Sequence, residues 1–91
     1  MNVTVKLGST LRVKAPGFVG GEGVIEVPGN GSPTVADVMA ALRIRPDEVN
    51  IIYRNHLMVA PEARVEDGDR VALFPPNFIH FSQFYLRREG H

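Results

Sequence analysis

The sequence predicts an α+β fold, a mixed sheet of four to five strands packed on one helix, on three observations. Near the start, Val3, Val5 and Leu7 alternate with Asn2, Thr4 and Lys6, the period of a half-buried strand. Val35, Val38, Met39 and Leu42 then fall at i, i+3, i+4 and i+7, a one-sided helical stripe. Arg70-Val71-Ala72-Leu73-Phe74 is mostly apolar and reads as a strand buried on both faces, central in its sheet.

The elements between these anchors follow in order. Leu11 and Val13 extend the opening alternation past Gly8-Ser9-Thr10, as a strand running through a kink or bulge. Ala15-Pro16-Gly17 and Gly20-Gly21-Glu22-Gly23 are turn chemistry. Val24-Ile25-Glu26-Val27 resumes as a strand and makes the opening a hairpin with a wide, glycine-rich loop. Pro28 to Pro33 end that strand. Thr34 is an N-cap with Asp37 three residues on, a capping-box spacing at the positive end of the helix. Pro46 biases Arg45 away from helical geometry and closes the segment. Val49 to Tyr53 is strand-like, Arg54-Asn55-His56 turns, and Leu57-Met58-Val59 forms a short strand. Glu66-Asp67-Gly68-Asp69 is a turn in which Gly68 supplies a positive φ. Pro75-Pro76 stop the last strand because neither donates a ladder hydrogen bond.

Composition bounds the function. Ninety-one residues allow one domain with one modest core. Ten basic and ten acidic side chains cancel, which argues against nucleic-acid binding through bulk charge. With no cysteine, disulfides, thiolate nucleophiles and cysteine-held metals are excluded, and packing alone must hold the domain, as suits a cytoplasmic protein. The longest apolar runs are a few residues, far short of the ~20 that span a bilayer. The first seven residues lack a continuous apolar core, so no signal peptide is expected.

One helix and a mixed sheet are best reconciled by laying the helical stripe across one sheet face, with the first and last strands parallel in the centre. That arrangement is a ubiquitin-like β-grasp over residues 1–76. Residues 3–7, the Pro33-Thr34-Val35-Ala36-Asp37-Val38 helix start, and above all Glu66-Asp67-Gly68-Asp69-Arg70-Val71-Ala72-Leu73-Phe74-Pro75-Pro76 resemble the ThiS/MoaD sulfur carriers. The resemblance implies a carrier without an active-site cleft or cofactor of its own. Its terminal Gly-Gly carboxylate would be adenylated by a ThiF/MoeB-like adenylyltransferase and converted to a thiocarboxylate. The sulfur would then pass to molybdopterin or thiazole synthesis, or to related thiolations. A partner such as a molybdopterin synthase large subunit is implied by the same likeness.

The sequence departs from that family where the glycines belong. Ile79 and His80 stand there, no Gly-Gly follows Gly20-Gly21, and the last residues are Glu89-Gly90-His91. The expectation is therefore a non-catalytic binding module that is not thiocarboxylated. The alternative is a true carrier with an atypical end built on Gly90. Four of the seven aromatics, Phe78, Phe81, Phe84 and Tyr85, lie within eight residues of this tail. Phe78, Phe81 and Tyr85 fall at i, i+3 and i+7, so a helix would gather them on one face, whereas a strand would point the aromatics to both sides. Ordering the segment costs ~1–2 kcal/mol per residue and each buried aromatic returns ~1.5–3, so order requires docking. The seat could be this chain's own sheet or helix edge, or a neighbour's; the alternatives are a different protein or a disordered end. Phe74, Pro75, Pro76, Phe78, Phe81, Phe84 and Tyr85 are the expected partner-binding residues.

Other features have plainer readings. Gly20 to Gly23 precedes a strand, whereas a phosphate loop precedes a helix. His56, His80 and His91 lack metal-ligand pairing, so no metal is expected. Arg87-Arg88 with Arg43 and Arg45 form a solvated face, and Asp67 and Asp69 are turn formers. No nucleophile–base pair stands out, and an enzyme is not expected.

Overall fold

A computed structural model describes residues 1–76 of the chain; the tail carrying Phe78, Phe81, Phe84, Tyr85 and Gly90 lies outside the described residues. Among the described residues, five strands, β1 (Asn2–Leu7), β2 (Glu22–Glu26), β3 (Ile51–Arg54), β4 (Leu57–Met58) and β5 (Arg70–Phe74), accompany the helix α1 (Val35–Ala41). The sheet order is β2-β1-β5-β3-β4. The first and last strands lie parallel at its centre, Val5 beside Val71 and Leu7 beside Leu73, and the other neighbours are antiparallel. This is the expected β-grasp.

The core follows from the alternation. Val3, Val5, Leu7, Ile52, Val71 and Leu73 point to one side, where Val35, Val38 and Met39 of α1 join them in a single buried cluster. Thr34 caps α1: its Oγ1 accepts from the Asp37 N–H at 3.4 Å, and Asp37 Oδ2 accepts from the Thr34 N–H at 2.8 Å. The helix stops at Ala41, earlier than Pro46 would impose. Arg43 takes φ +58, the Ile44 N–H reaches Met39 O and the Arg43 N–H reaches Ala40 O. That pattern is a Schellman closure with arginine at the left-handed position glycine usually holds. Ile44 is buried just beyond it.

Two expectations are corrected. Leu11 and Val13 do not continue a strand, since Ser9–Lys14 is a 3₁₀ segment. A strand would turn both side chains the same way. With three residues per turn, Leu11 is buried and Val13 is 77% exposed. Nor is β5 buried on both faces, because Arg70, Ala72 and Phe74 are only half-buried. The sheet has one covered face and one open face.

Candidate functional site

The open face is built by the residues the core rejects. Register places Lys6 and Tyr53 on either side of Ala72, with Phe74 two residues along β5. Together with Arg70 and His56 they line a shallow trough of about 330 Å³. Tyr53 and Phe74 meet edge to face, centroids 6.1 Å apart at 82°, a geometry that adds ~0.5–1.5 kcal/mol to burial. Met58 faces Tyr53 across the β3–β4 pair and is 64% exposed. At the far edge, Val24 opposite Thr4 is 62% exposed. The result is an apolar strip interrupted by two cations. Arg70 is engaged, its guanidinium donating to both Glu22 oxygens at 2.7 and 3.4 Å across β1. Lys6 has no ion pair among the described residues.

Two devices shape this face. Gly8 lies against the Phe74 ring so closely that an added Cβ would collide with it, while its N–H donates to Leu73 O at 3.0 Å. The absence of a side chain there lets the ring lie down. At the other end, Asn55 and His56 form the two-residue β3–β4 turn, both with positive φ (50 and 73), as a type I′ hairpin demands. That turn sets His56 at the trough's rim.

The turn is held by Asp69, which does more than form a turn. Its Oδ2 accepts from Arg54 Nε at 2.6 Å and from the Glu66 N–H at 2.7 Å, and its Oδ1 accepts from Asn55 Nδ2 at 3.0 Å. Asn55 Oδ1 in turn accepts from the Arg70 N–H at 2.9 Å. Burial pushes the Asp69 carboxyl up, but the bonds from Arg54, Asn55 and Glu66 outweigh it and hold the acid below its ordinary range. Asp67 plays the simpler role, its Oδ1 accepting from the Asn2 N–H at 2.7 Å. The sequence signal for the Asp69 hub is the Arg54-Asn55 pair, fifteen and fourteen residues upstream, which no local pattern links to the turn.

Of the expected partner-binding residues, Phe74 sits in the trough, Pro75 is buried and Pro76 is exposed. Pro75 and Pro76 line a second hollow with the 3₁₀ segment. Phe78, Phe81, Phe84 and Tyr85 fall outside the described residues. Among the described residues no three His, Asp or Glu side chains converge to hold a metal, and no helix is long and apolar enough to cross a membrane.

The model of the ThiS family matches residues 21–77, well over half of the sequence. The chain belongs to the ThiS family. No curated protein matches it by sequence. Among solved structures, it is similar to SAMP1 from Haloferax volcanii, at 26% identity and a TM-score of 0.64 over 84% of this chain and 96% of that one. A chain of the BexX/CysO complex from Amycolatopsis orientalis is 29% identical, with a TM-score of 0.51 over 80% and 93%. A putative molybdopterin converting factor subunit 1 from Pyrococcus furiosus shares the fold, at 23% identity and a TM-score of 0.64 over 84% and 98%. The mixed five-stranded sheet with one helix among the described residues is the ubiquitin-like β-grasp that these neighbours share.

Proposed function

We propose that this ThiS-family member is a non-catalytic, cytoplasmic protein-binding module of molybdopterin or related sulfur-transfer biosynthesis that engages its partner through the open sheet face and is not thiocarboxylated. The observation that carries the reading is the apolar strip on the open sheet face, where Met58 is 64% exposed beside half-buried Tyr53 and Ala72, braced by the Asp69 hub. Contiguous exposed apolar surface on a small domain marks an interaction site. A similar chain occurs in a complex, BexX/CysO, which supports a protein partner. The partner chemistry that suits the face is an apolar ridge with a carboxylate placed to meet Lys6. A molybdopterin synthase large subunit-like protein or a ThiF/MoeB-like adenylyltransferase is the family-typical occupant.

The second half of the proposal rests on the residues after Pro76. A tail that threads a narrow activating channel needs positions without Cβ atoms, and Ile79-His80 supply two bulky side chains instead. Ala72→Arg tests the face, because it plants a long side chain in the middle of the trough while leaving the covered face untouched. Retention of a large-subunit-like or adenylating partner in a pull-down should fall at least about tenfold, the loss expected for blocking the centre of an interface. Undiminished retention by a folded Ala72→Arg chain refutes the face.

A further inference from the structure

Among the described residues β2 is an edge of the sheet, with β1 on one side and no strand on the other. The Val27 N–H donates to Met1 O and the Met1 amino group to Val27 O, each at 2.8 Å, and the Leu7 N–H donates to Gly21 O at 2.7 Å. Hydrogen-bonded pairs alternate along an antiparallel ladder. Val3–Ile25 and Val5–Gly23 therefore bond in the same way, and Glu22, Val24 and Glu26 turn their N–H and C=O groups outward. Val19 O takes the Glu22 N–H at 3.1 Å. That leaves a short open ladder at Val24 and Glu26, both exposed. Beside the end of the strand lies an apolar hollow of about 490 Å³, lined by Val27, Pro28, Pro33, Ala40 and Ala41, and Ile25 is half-buried on the same, covered side of the sheet. The charges here are acidic. Glu26 has no ion pair among the described residues, Asp37 lines the hollow, and the cation at this edge, Arg70, is engaged by Glu22 at 2.7 Å.

We infer that the outer edge of β2 adds an extended, basic segment of another protein as a further strand. Backbone pairing to Val24 and Glu26 supplies the attachment, as in other strand additions at an open sheet edge. Alternate side chains of the added strand go to opposite faces. On the covered side an apolar residue meets Ile25 and the hollow; on the open side a lysine or arginine stands opposite Glu26. Opposite charges facing each other across strands stabilise a pair and like charges destabilise it, which selects the occupant. A second copy is disfavoured, because the two-fold register that overlaps all of β2 sets Glu26 against Glu22 of the other copy, whose oxygens already hold Arg70. The carboxylates of β2 thus act against self-pairing and in favour of a cationic strand.

The test titrates the full chain, by NMR, with a capped peptide of alternating lysine and valine about eight residues long, and with its glutamate–valine counterpart. Amide shifts on adding the lysine peptide should move at Val24, Glu26 and Ala40 and stay put at Tyr53, Met58 and Ala72. Val24→Pro removes the outward N–H and spares the ladder to β1, since proline is tolerated where an edge N–H faces solvent. Its affinity for the lysine peptide should fall about tenfold, from one lost backbone bond and a blocked approach. If Val24→Pro does not fold, Glu26→Lys decides, and it should weaken the lysine peptide and strengthen the glutamate one. The inference is overturned by an absence of shifts at peptide concentrations of order millimolar, by equal binding of the two peptides, or by a Glu26→Lys chain that keeps the wild-type preference. Dimerisation of the peptide-free chain that Val24→Pro abolishes overturns it as well, since the occupant would then be a second copy. The sheet-face reading is judged at Ala72 and this one at Val24 and Glu26, so each can fail without the other.

Discussion

Replacing Asp69 with Asn changes one oxygen to an NH2 group at the centre of the hydrogen-bond hub, with no change of shape. The carboxylate accepts three bonds: Oδ2 takes Arg54 Nε and the Glu66 N–H, and Oδ1 takes Asn55 Nδ2. An amide oriented to keep Oδ2 puts its NH2 against the Asn55 NH2. Rotating the Asn55 amide moves the conflict to the Arg70 N–H, which that side chain now accepts at 2.9 Å. Every orientation leaves one donor facing another, and Arg54 exchanges an anionic acceptor for a neutral one. One unsatisfied donor costs about 1–3 kcal/mol, and Asp69 is only 7% exposed, so water relieves little of it. A loss of about 2 kcal/mol is expected, roughly 8–16 °C in Tm for a domain of this size.

The same substitution has a pH signature. The Asp69 carboxyl lies below its ordinary value of 3.8 when folded, so the charged form contributes stability that is whole above the unfolded pKa. That contribution is lost as the pH falls through the folded value. Urea melts from pH 7 down to pH 3, read by circular dichroism (these pH values bracket roughly the unfolded carboxylate range), should show wild type converging on Asp69→Asn at the acid end. The reasoning fails if the variant matches wild type at neutral pH, or if the gap between them persists undiminished in acid.

Arg43→Gly should stabilise the chain by about 0.5–1 kcal/mol, because glycine occupies the left-handed position closing α1 without the Cβ penalty; a lower urea midpoint would contradict the Schellman reading. Gly68→Ala should cost about 1–2 kcal/mol from its φ of +87 alone, with no clash, and a normal fold by NMR. Gly8→Ala should cost about 1–3 kcal/mol through overpacking, because its Cβ meets the Phe74 ring. It should weaken partner retention more than Gly68→Ala does, since it displaces a trough residue; equal effects on binding would separate Phe74 from the interface.

The fold was largely legible because each of its determinants is local. Alternation at Val3, Val5 and Leu7, the Val35–Val38–Met39 stripe and the Thr34–Asp37 box each name an element within a few residues, and the parallel centre follows from their order. Two misreadings share a cause. Apolar residues two apart, such as Leu11 and Val13, fit a strand equally well whether both are buried or only one, and only the 3₁₀ geometry of Ser9–Lys14 decides. Likewise Ala72 is apolar yet only half-buried, which composition alone does not distinguish from full burial. The helix end was hidden because arginine, not glycine, holds the left-handed position. The trough was half legible: Phe74 was named, whereas Lys6, Tyr53 and His56 are assembled by strand register across more than sixty residues of sequence, as the Lys6–Ala72 pairing shows. The Asp69 hub is non-local in the same way.

On the proposed reading, the chain binds through its sheet face without carrying sulfur. The most direct measurement is intact mass spectrometry of the full chain isolated together with its partner from the native source. Unmodified chain co-purifying with the partner, and Ala72→Arg chain failing to co-purify, is the predicted result. A chain in which sulfur has replaced one oxygen of the terminal carboxylate, or which is joined through that carboxylate to another protein, would contradict it.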